Sequence, residues 1–153
     1  MTYTERRVRT VRAPAGVLWS VVHDLGGESG YHSFDALWRV RARLDRALGG
    51  PGMRGRPEQL SDGAALDFWR VESVDPPHRL LLRAEKRQPG TAHLELRVEP
   101  LGDTESTLEQ RTWFEPAGVV GHAFWWAELP GHKVVFSRLV DGIARAAETG
   151  SST

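Results

Sequence analysis

Asp67, Lys86, Gln110 and Thr112 are the polar residues that fall on an otherwise apolar face of four consecutive segments, so they are where chemistry is expected. A lysine drawn out of water is a candidate base or imine former, and a carboxylate beside it would orient a carbonyl or carboxylate ligand. The plainer alternative is an ion pair. Lys86 lies close to the turn at Pro89, where its stem can cover apolar surface while its ammonium reaches Asp67 and water. Gln110 stands in mid-segment, and a buried amide must find partners in the protein, a trapped water or a ligand. Thr112 fits the same place by strand propensity alone.

The elements that would position these groups are Leu66–Val74, Arg79–Arg87, Thr91–Glu99 and Ser106–Glu115, separated by turn signals at Asp75-Pro76-Pro77-His78, Gln88-Pro89-Gly90 and Pro100-Leu101-Gly102-Asp103. Folding each segment back on the last gives an antiparallel meander. It pairs Asp67 with Lys86, Trp69 with Ala84 and Val71 with Leu82; then Lys86 with Ala92, Ala84 with Leu94 and Leu82 with Leu96; then Ala92 with Phe114, Leu94 with Thr112, Leu96 with Gln110 and Val98 with Leu108. Side chains alternate along a strand, so all of these share one face. The other face carries Arg83, Glu85, Arg87, His93, Glu95, Arg97, Glu109 and Arg111. In this register Arg83 opposes Glu95, Glu95 opposes Arg111 and Arg97 opposes Glu109, as expected of a solvent face.

Ahead of the meander, Thr4–Arg12 is Arg-rich with Val8 and Val11 as apolar points, which suits an edge strand. Pro14 opens a helix carrying Val17, Leu18, Val21, Val22 and Leu25, stopped at Gly26-Gly27. Ser33 caps a second helix, Phe34–Leu48, with Phe34, Leu37, Trp38, Leu44 and Leu48 as its apolar stripe and Arg39, Arg43, Asp45 and Arg46 opposite. After the meander, Val119–Leu129 has helical spacing, Pro130-Gly131 breaks or kinks it, and His132–Glu148 is the last helix, apolar along Val135, Phe136, Leu139, Val140 and Ile143. The order predicts an α+β domain in which helices cover one face of a curved antiparallel sheet. One domain is expected over 1–148, with 149–153 a disordered tail.

Trp69, Phe114, Trp125, Trp126, Trp38 and Tyr31 are candidates to line an aromatic cavity, although aromatics at such spacing also simply fill cores. Trp125 and Trp126 point about 100° apart on a helix, so one of them is expected at the cavity mouth or in a contact between two copies. None of the six histidines makes a His-x-x-x-His or His-Glu-x-x-His pattern, which argues against a metal centre. His93 on the charged face and His78 in a turn are expected to be solvated; His32, between the helices, and His122, before the tryptophan pair, are the better functional candidates. No nucleophile elbow or triad can be assigned.

The chain has 153 residues, twenty basic and twenty acidic side chains and no cysteine. Disulfides, thiol chemistry and Cys-based metal sites are excluded. The balanced charge argues against nucleic acid, despite Arg39, Arg41, Arg43, Arg46, Arg54 and Arg56. The charged start lacks a signal-peptide pattern and no stretch approaches a membrane span, so a cytoplasmic location is expected.

The opening Arg12-Ala-Pro-Ala-Gly-Val-Leu-Trp-Ser-Val-Val-His-Asp24 resembles that of the START/polyketide-cyclase (SRPBCC) superfamily. Phe34-Asp-Ala-Leu-Trp-Arg39, Gly49-Gly-Pro-Gly52, Leu66-Asp-Phe-Trp-Arg-Val-Glu72 and Pro89-Gly-Thr-Ala-His-Leu-Glu95 resemble one branch of it, without a settled activity, that also occurs fused behind an NAD(P)-binding epimerase-like domain. The resemblance covers nearly the whole chain. It implies a helix-grip fold, a curved sheet wrapped around a long C-terminal helix with a cavity between. No Gly-rich dinucleotide fingerprint is present, so no cofactor is expected. The expected function is binding of an apolar or aromatic small molecule by Asp67, Trp69, Lys86, Gln110, Thr112, Phe114, Trp125, Trp126, Tyr31 and His32. The alternatives are a cyclase/dehydratase-type enzyme on the same scaffold, or a module pairing with an NAD(P)-binding protein or with itself.

Overall fold

The computed structural model describes residues 2–25, 35–50, 55, 57–67, 69–85 and 88–151, with the backbone alone at 35–38, 41, 42 and 151. Strand β1 (Tyr3–Val11) is followed by helices α1 (Ala15–His23) and α2 (Asp35–Ala47). Strands β2 (Ala65–Leu66), β3 (Trp69–Asp75), β4 (Arg79–Ala84), β5 (Gly90–Pro100) and β6 (Ser106–Pro116) come next, and helix α3 (Gly118–Ser151) ends the described chain. One antiparallel sheet results, in the order β1-β6-β5-β4-β3-β2. Leu80, Leu82, Leu94, Leu96 and Leu108 from its inner face meet Leu18 of α1 and Leu139 and Ile143 of α3, all removed from water. Each fully buried side chain of this size contributes about 1.5–3 kcal/mol of transfer free energy.

The expected register holds in part. Strands β5 and β6 pair as predicted, from Gly90↔Pro116 through Leu94↔Thr112 and Leu96↔Gln110 to Pro100↔Ser106. Strands β3 and β4 also pair as predicted, at Trp69↔Ala84 and Val71↔Leu82, before a bulge past Val71. Between β4 and β5 the ladder is two residues away from the prediction. Leu82 lies opposite Leu94 and Leu80 opposite Leu96, and the pairing among the described residues reaches Arg83↔His93. The slide keeps every side chain on its face, which a one-residue slip would not.

The predicted strand Leu66–Val74 is really two. Asp67 has φ 51, and β2 folds back on β3 through Leu66↔Trp69. Aspartate is among the few residues that tolerate this left-handed geometry. Its N–H donates to the Gly55 carbonyl at 2.8 Å and its Oδ1 accepts from the Gly55 N–H at 3.1 Å. Asp67 is thus buried, but as the anchor of a turn and outside the β3–β4 ladder.

Three further expectations are corrected. On α2, Val40, Leu44 and Leu48 are more than half exposed while Asp45 is fully buried. The Asp45 carboxylate lies against Gly50, whose N–H donates to the Asp45 carbonyl at 2.8 Å, so the residue closes the helix end. On β1, Val8 is exposed and Tyr3, Glu5, Arg7 and Arg9 turn toward α3. They meet it as Tyr3–His122, Glu5–His132, Arg7–Lys133 carbonyl and Arg9–Asp141, and Arg12 follows with Glu148. On the charged face, Glu95 is buried rather than solvated, gripped by Arg79 at 2.6 Å and Arg97 at 3.0 Å. Burial pushes its carboxyl up, but hydrogen bonds from Arg97 and Arg79, with their charges, outweigh this and hold it below the ordinary value.

Helix α3 runs through Pro130 without ending and reaches Ser151, joining the two segments Val119–Leu129 and His132–Glu148 that the sequence separates. Positions 152 and 153 lie outside the described residues.

Candidate functional site

Strand β6 delivers Phe114 to the inner face because it alternates strictly, with Leu108, Gln110, Thr112 and Phe114 all inward. Helix α3 lays Trp125 over it, the two rings parallel with centroids 5.7 Å apart. Tyr3, the cross-strand partner of Phe114, also stacks on Trp125 at 5.0 Å, and Phe124 packs on Phe114 at 5.8 Å. Trp69 from β3 and Phe136 from one turn beyond His132 complete the walls. The space these rings leave is about 40 Å³, room for one or two waters. The expected open cavity is therefore largely filled by its own aromatic side chains.

Polar groups enter from β1 and α3. His132 sits edge-on to Trp125 at 5.0 Å and against Phe136 at 4.4 Å. Its Nδ1 lies 3.2 Å from the Glu5 carboxylate, which also pairs with Arg7 at 3.2 Å. Tyr3 and His122 are joined through the hydroxyl and Nδ1 at 2.8 Å. A carboxylate within ion-pair distance of one ring nitrogen helps to orient the imidazole. Sequence reasoning misses Glu5, Arg7 and His132, because alternating charges on a first strand look like an edge facing water.

The predicted site residues divide. Trp69, Gln110, Thr112, Phe114 and Trp125 are brought together between sheet and helix, all buried. Gln110 spends its amide on the protein: Nε2 donates to the Phe136 carbonyl at 3.1 Å and Oε1 accepts from Arg7 at 3.4 Å. Thr112 is buried with no hydrogen bond to its Oγ1. Trp126 points outward, 62% exposed, and makes an edge contact to Tyr3. Trp125 is thus the member of the pair that faces inward. Tyr31, His32 and Lys86 lie outside the described residues.

His93 is not the solvated residue expected. It stacks on Trp113 at 4.8 Å, its Nε2 lies 3.3 Å from Glu72, and it lines the same small space as Trp69, Ala92 and Phe114. Gln88 and Glu128 line it too. The tip of the β4–β5 hairpin is pinned there, since the Ala117 N–H donates to the Pro89 carbonyl at 3.1 Å. Gly121 allows this approach: a Cβ at that position would stand 2.5 Å from the same carbonyl. Among the described residues, no cluster of three or more His, Asp and Glu side chains could hold a metal, and no helix is long and apolar enough to cross a membrane.

A six-stranded antiparallel sheet gripping a long C-terminal helix, with two shorter helices after the first strand, is the helix-grip fold of the START/polyketide-cyclase superfamily. Among solved structures, the chain is similar to the ZhuI aromatase/cyclase of a Streptomyces species, at 18% identity and a TM-score of 0.56 over 99% of this chain and 94% of that one. It is also similar to norcoclaurine synthase of Thalictrum flavum, at 12% identity and a TM-score of 0.55, covering 96% and 94% of the two chains. The di-domain aromatase/cyclase BexL matches at 15% identity and a TM-score of 0.57, with 95% of this chain covering 46% of that one. At such identities the likeness establishes the fold alone. The chain belongs to the family described as protein of unknown function DUF2867, which matches residues 1–139. No curated protein matches the sequence.

Proposed function

We propose that the protein binds a small apolar or aromatic molecule between the sheet and α3. The observation that carries this is the chamber of stacked rings around Trp125, where a flat ligand meets aromatic faces on several sides. The names of the similar structures, aromatase/cyclase and norcoclaurine synthase, are consistent with small aromatic ligands on this scaffold. With about 40 Å³ open, a ligand enters by exchange with a ring already there. Phe124 is the ring for this, because it is only partly buried and packs on Phe114 at the edge of the chamber. Native mass spectrometry of freshly purified protein is expected to show a co-purified small molecule. Phe124→Ala is expected to raise affinity for a one-ring probe, measured by quenching of tryptophan emission. Unchanged emission across a panel of aromatic probes in both proteins would sink the proposal.

A second reading, an enzyme of cyclase or dehydratase type, is favoured by His132 held against Glu5 beside Trp125. There the imidazole would move a proton on a bound substrate. His132→Gln would then abolish turnover of a substrate while leaving its binding within about threefold.

A further inference from the structure

Helix α2 alternates apolar and arginine positions on a helical period. At about 100° per residue, Val40, Leu44, Ala47 and Leu48 share one arc, and Arg39, Arg43 and Arg46 share the arc beside it. Leu48 stands just past Ala47, but its N–H donates to the Leu44 carbonyl at 3.1 Å, so the helical turn carries it. A helix packed on the body of a domain turns its apolar arc inward. Here that arc is outside: Val40 is 60% exposed, Leu44 52% and Leu48 55%, and no described side chain of α2 belongs to the apolar core. The buried side chain is Asp45, held at the helix end against Gly50. Single exposed apolar residues mean little, but three branched aliphatic side chains on successive turns form a stripe.

The arginines set this helix apart as well. Every arginine on the strands stands beside a carboxylate, as in Arg6–Glu109 at 3.1 Å and Arg83–Glu72 at 3.3 Å. Arg39 and Arg43 are exposed and have no carboxylate partner among the described residues. The acidic side chain described on α2 is the buried Asp45. In a chain whose twenty basic and twenty acidic side chains balance, this helix therefore presents a local surface that is cationic on one arc and apolar on the next.

The partner that complements both arcs is anionic at its surface and apolar just beneath, which is the layering of a bilayer with acidic headgroups. An acidic protein would answer the charges but not the size. A stable protein contact buries about 800 Å² on each side, whereas the stripe from Val40 to Leu48 is only about 12 Å long. A lipid surface has no such threshold and accepts arginines at any lateral position. We infer that α2 docks the protein on anionic membrane surfaces. The helix lies in the plane of the headgroups, with Val40, Leu44 and Leu48 toward the acyl chains and Arg39 and Arg43 among the phosphates. The docking is peripheral, and it does not rest on the cavity reading.

Vesicle flotation of the full chain tests this, with vesicles of phosphatidylcholine alone and of phosphatidylcholine and phosphatidylglycerol in equal parts. Wild type is expected to float with the mixed vesicles, to bind the neutral ones far more weakly, and to be released by added salt. These readouts need no variant. Arg39→Gln with Arg43→Gln is expected to weaken binding to mixed vesicles about 25-fold, roughly fivefold for each cation near an anionic surface. Leu44→Gln with Leu48→Gln is expected to weaken it about tenfold. All four positions are exposed, so circular dichroism and the thermal midpoint should match wild type. Absence of binding to the mixed vesicles, or equal binding to both kinds, overturns the proposal. Binding to soluble polyglutamate without binding to vesicles overturns it in favour of an acidic protein. Vesicle binding that survives both double variants also overturns it, and its loss in Trp126→Ala would move the docking surface to α3.

Discussion

Strand β5 has a neighbour on each side, and the two ladders differ. Against β6 it pairs along its whole length, Gly90↔Pro116 to Pro100↔Ser106, in the predicted register. Against β4, among the described residues, it pairs from Arg79↔Arg97 to Arg83↔His93, two residues from the prediction. An alternating apolar pattern fixes which face a residue occupies, and so forbids odd slips. It says little about even ones, since Leu80 and Leu82 fit equally well opposite Leu94 or Leu96. On the β6 side, Glu95–Arg111 and Arg97–Glu109 oppositions remove that freedom. On the β4 side Pro89 intervenes. It has no N–H for a ladder, and its carbonyl is engaged by Ala117 just before α3, which ties Pro89 to the start of the helix.

Substitutions can break or sharpen this contrast. The largest effect is expected for Gly90→Val, because a Cβ there would stand 2.5 Å from the Glu115 carbonyl and from the Phe114 ring. Chemical denaturation should show a loss of about 3 kcal/mol or more, as for other overpacked sites at a strained φ. Leu94→Ala is next. Leu94 faces Leu82 on one side and Thr112 on the other, so its loss should weaken both ladders, by about 2–5 kcal/mol. A loss confined to one ladder, seen as faster amide exchange on β4 alone, would contradict the pairing of Leu94 with both neighbours.

Glu95→Gln should cost roughly 1–2 kcal/mol, as it keeps shape but weakens hydrogen bonds to two arginines. It also carries a pH signature. The folded carboxyl lies below its ordinary value of 4.5, so its stabilisation is complete above that pH and is lost as acid titrates the folded group. Wild type and Glu95→Gln should therefore converge in stability as the pH falls below about 4.5. Parallel curves would refute the pairing. The smallest effect is expected at Thr112→Val. Replacing a buried hydroxyl that has no partner with a methyl of the same shape should be neutral or stabilising by up to about 1 kcal/mol. A clear destabilisation would mean that Thr112 has a partner in solution.

The fold is legible in the sequence because hydrophobic alternation, turn residues and helical spacing agree across the chain. The site is legible only where it depends on those patterns. Trp69 and Phe114 follow from face and period, whereas the choice between Trp125 and Trp126 does not. Glu5, His132 and His93 do not, because their burial is set by which element comes to rest against them. Glu5 and Arg7 on β1 read as an exposed edge until α3 is placed beside them. Glu95 reads as solvated until Arg79 and Arg97 are seen to cover it. Asp67 reads as a strand residue because nothing in its neighbourhood announces a left-handed backbone; its partner, Gly55, is twelve positions away.

The seam between β1 and α3 has a consequence for how the chain reaches this state. Glu5, Arg7, Arg9 and Arg12 find their counterparts at His132, Lys133, Asp141 and Glu148, more than a hundred residues later. During synthesis, the first strand therefore waits, its inner face charged and hydrated, until nearly all of the chain has emerged. That delay protects it. An apolar inner face would invite mispairing with whatever strand came out next, whereas this one gains its ladder with β6 and then, from α3, the partners of its charges. Assembly is thus expected to be slow and to end with the docking of the first element onto the last, as the long sequence separation of these contacts requires.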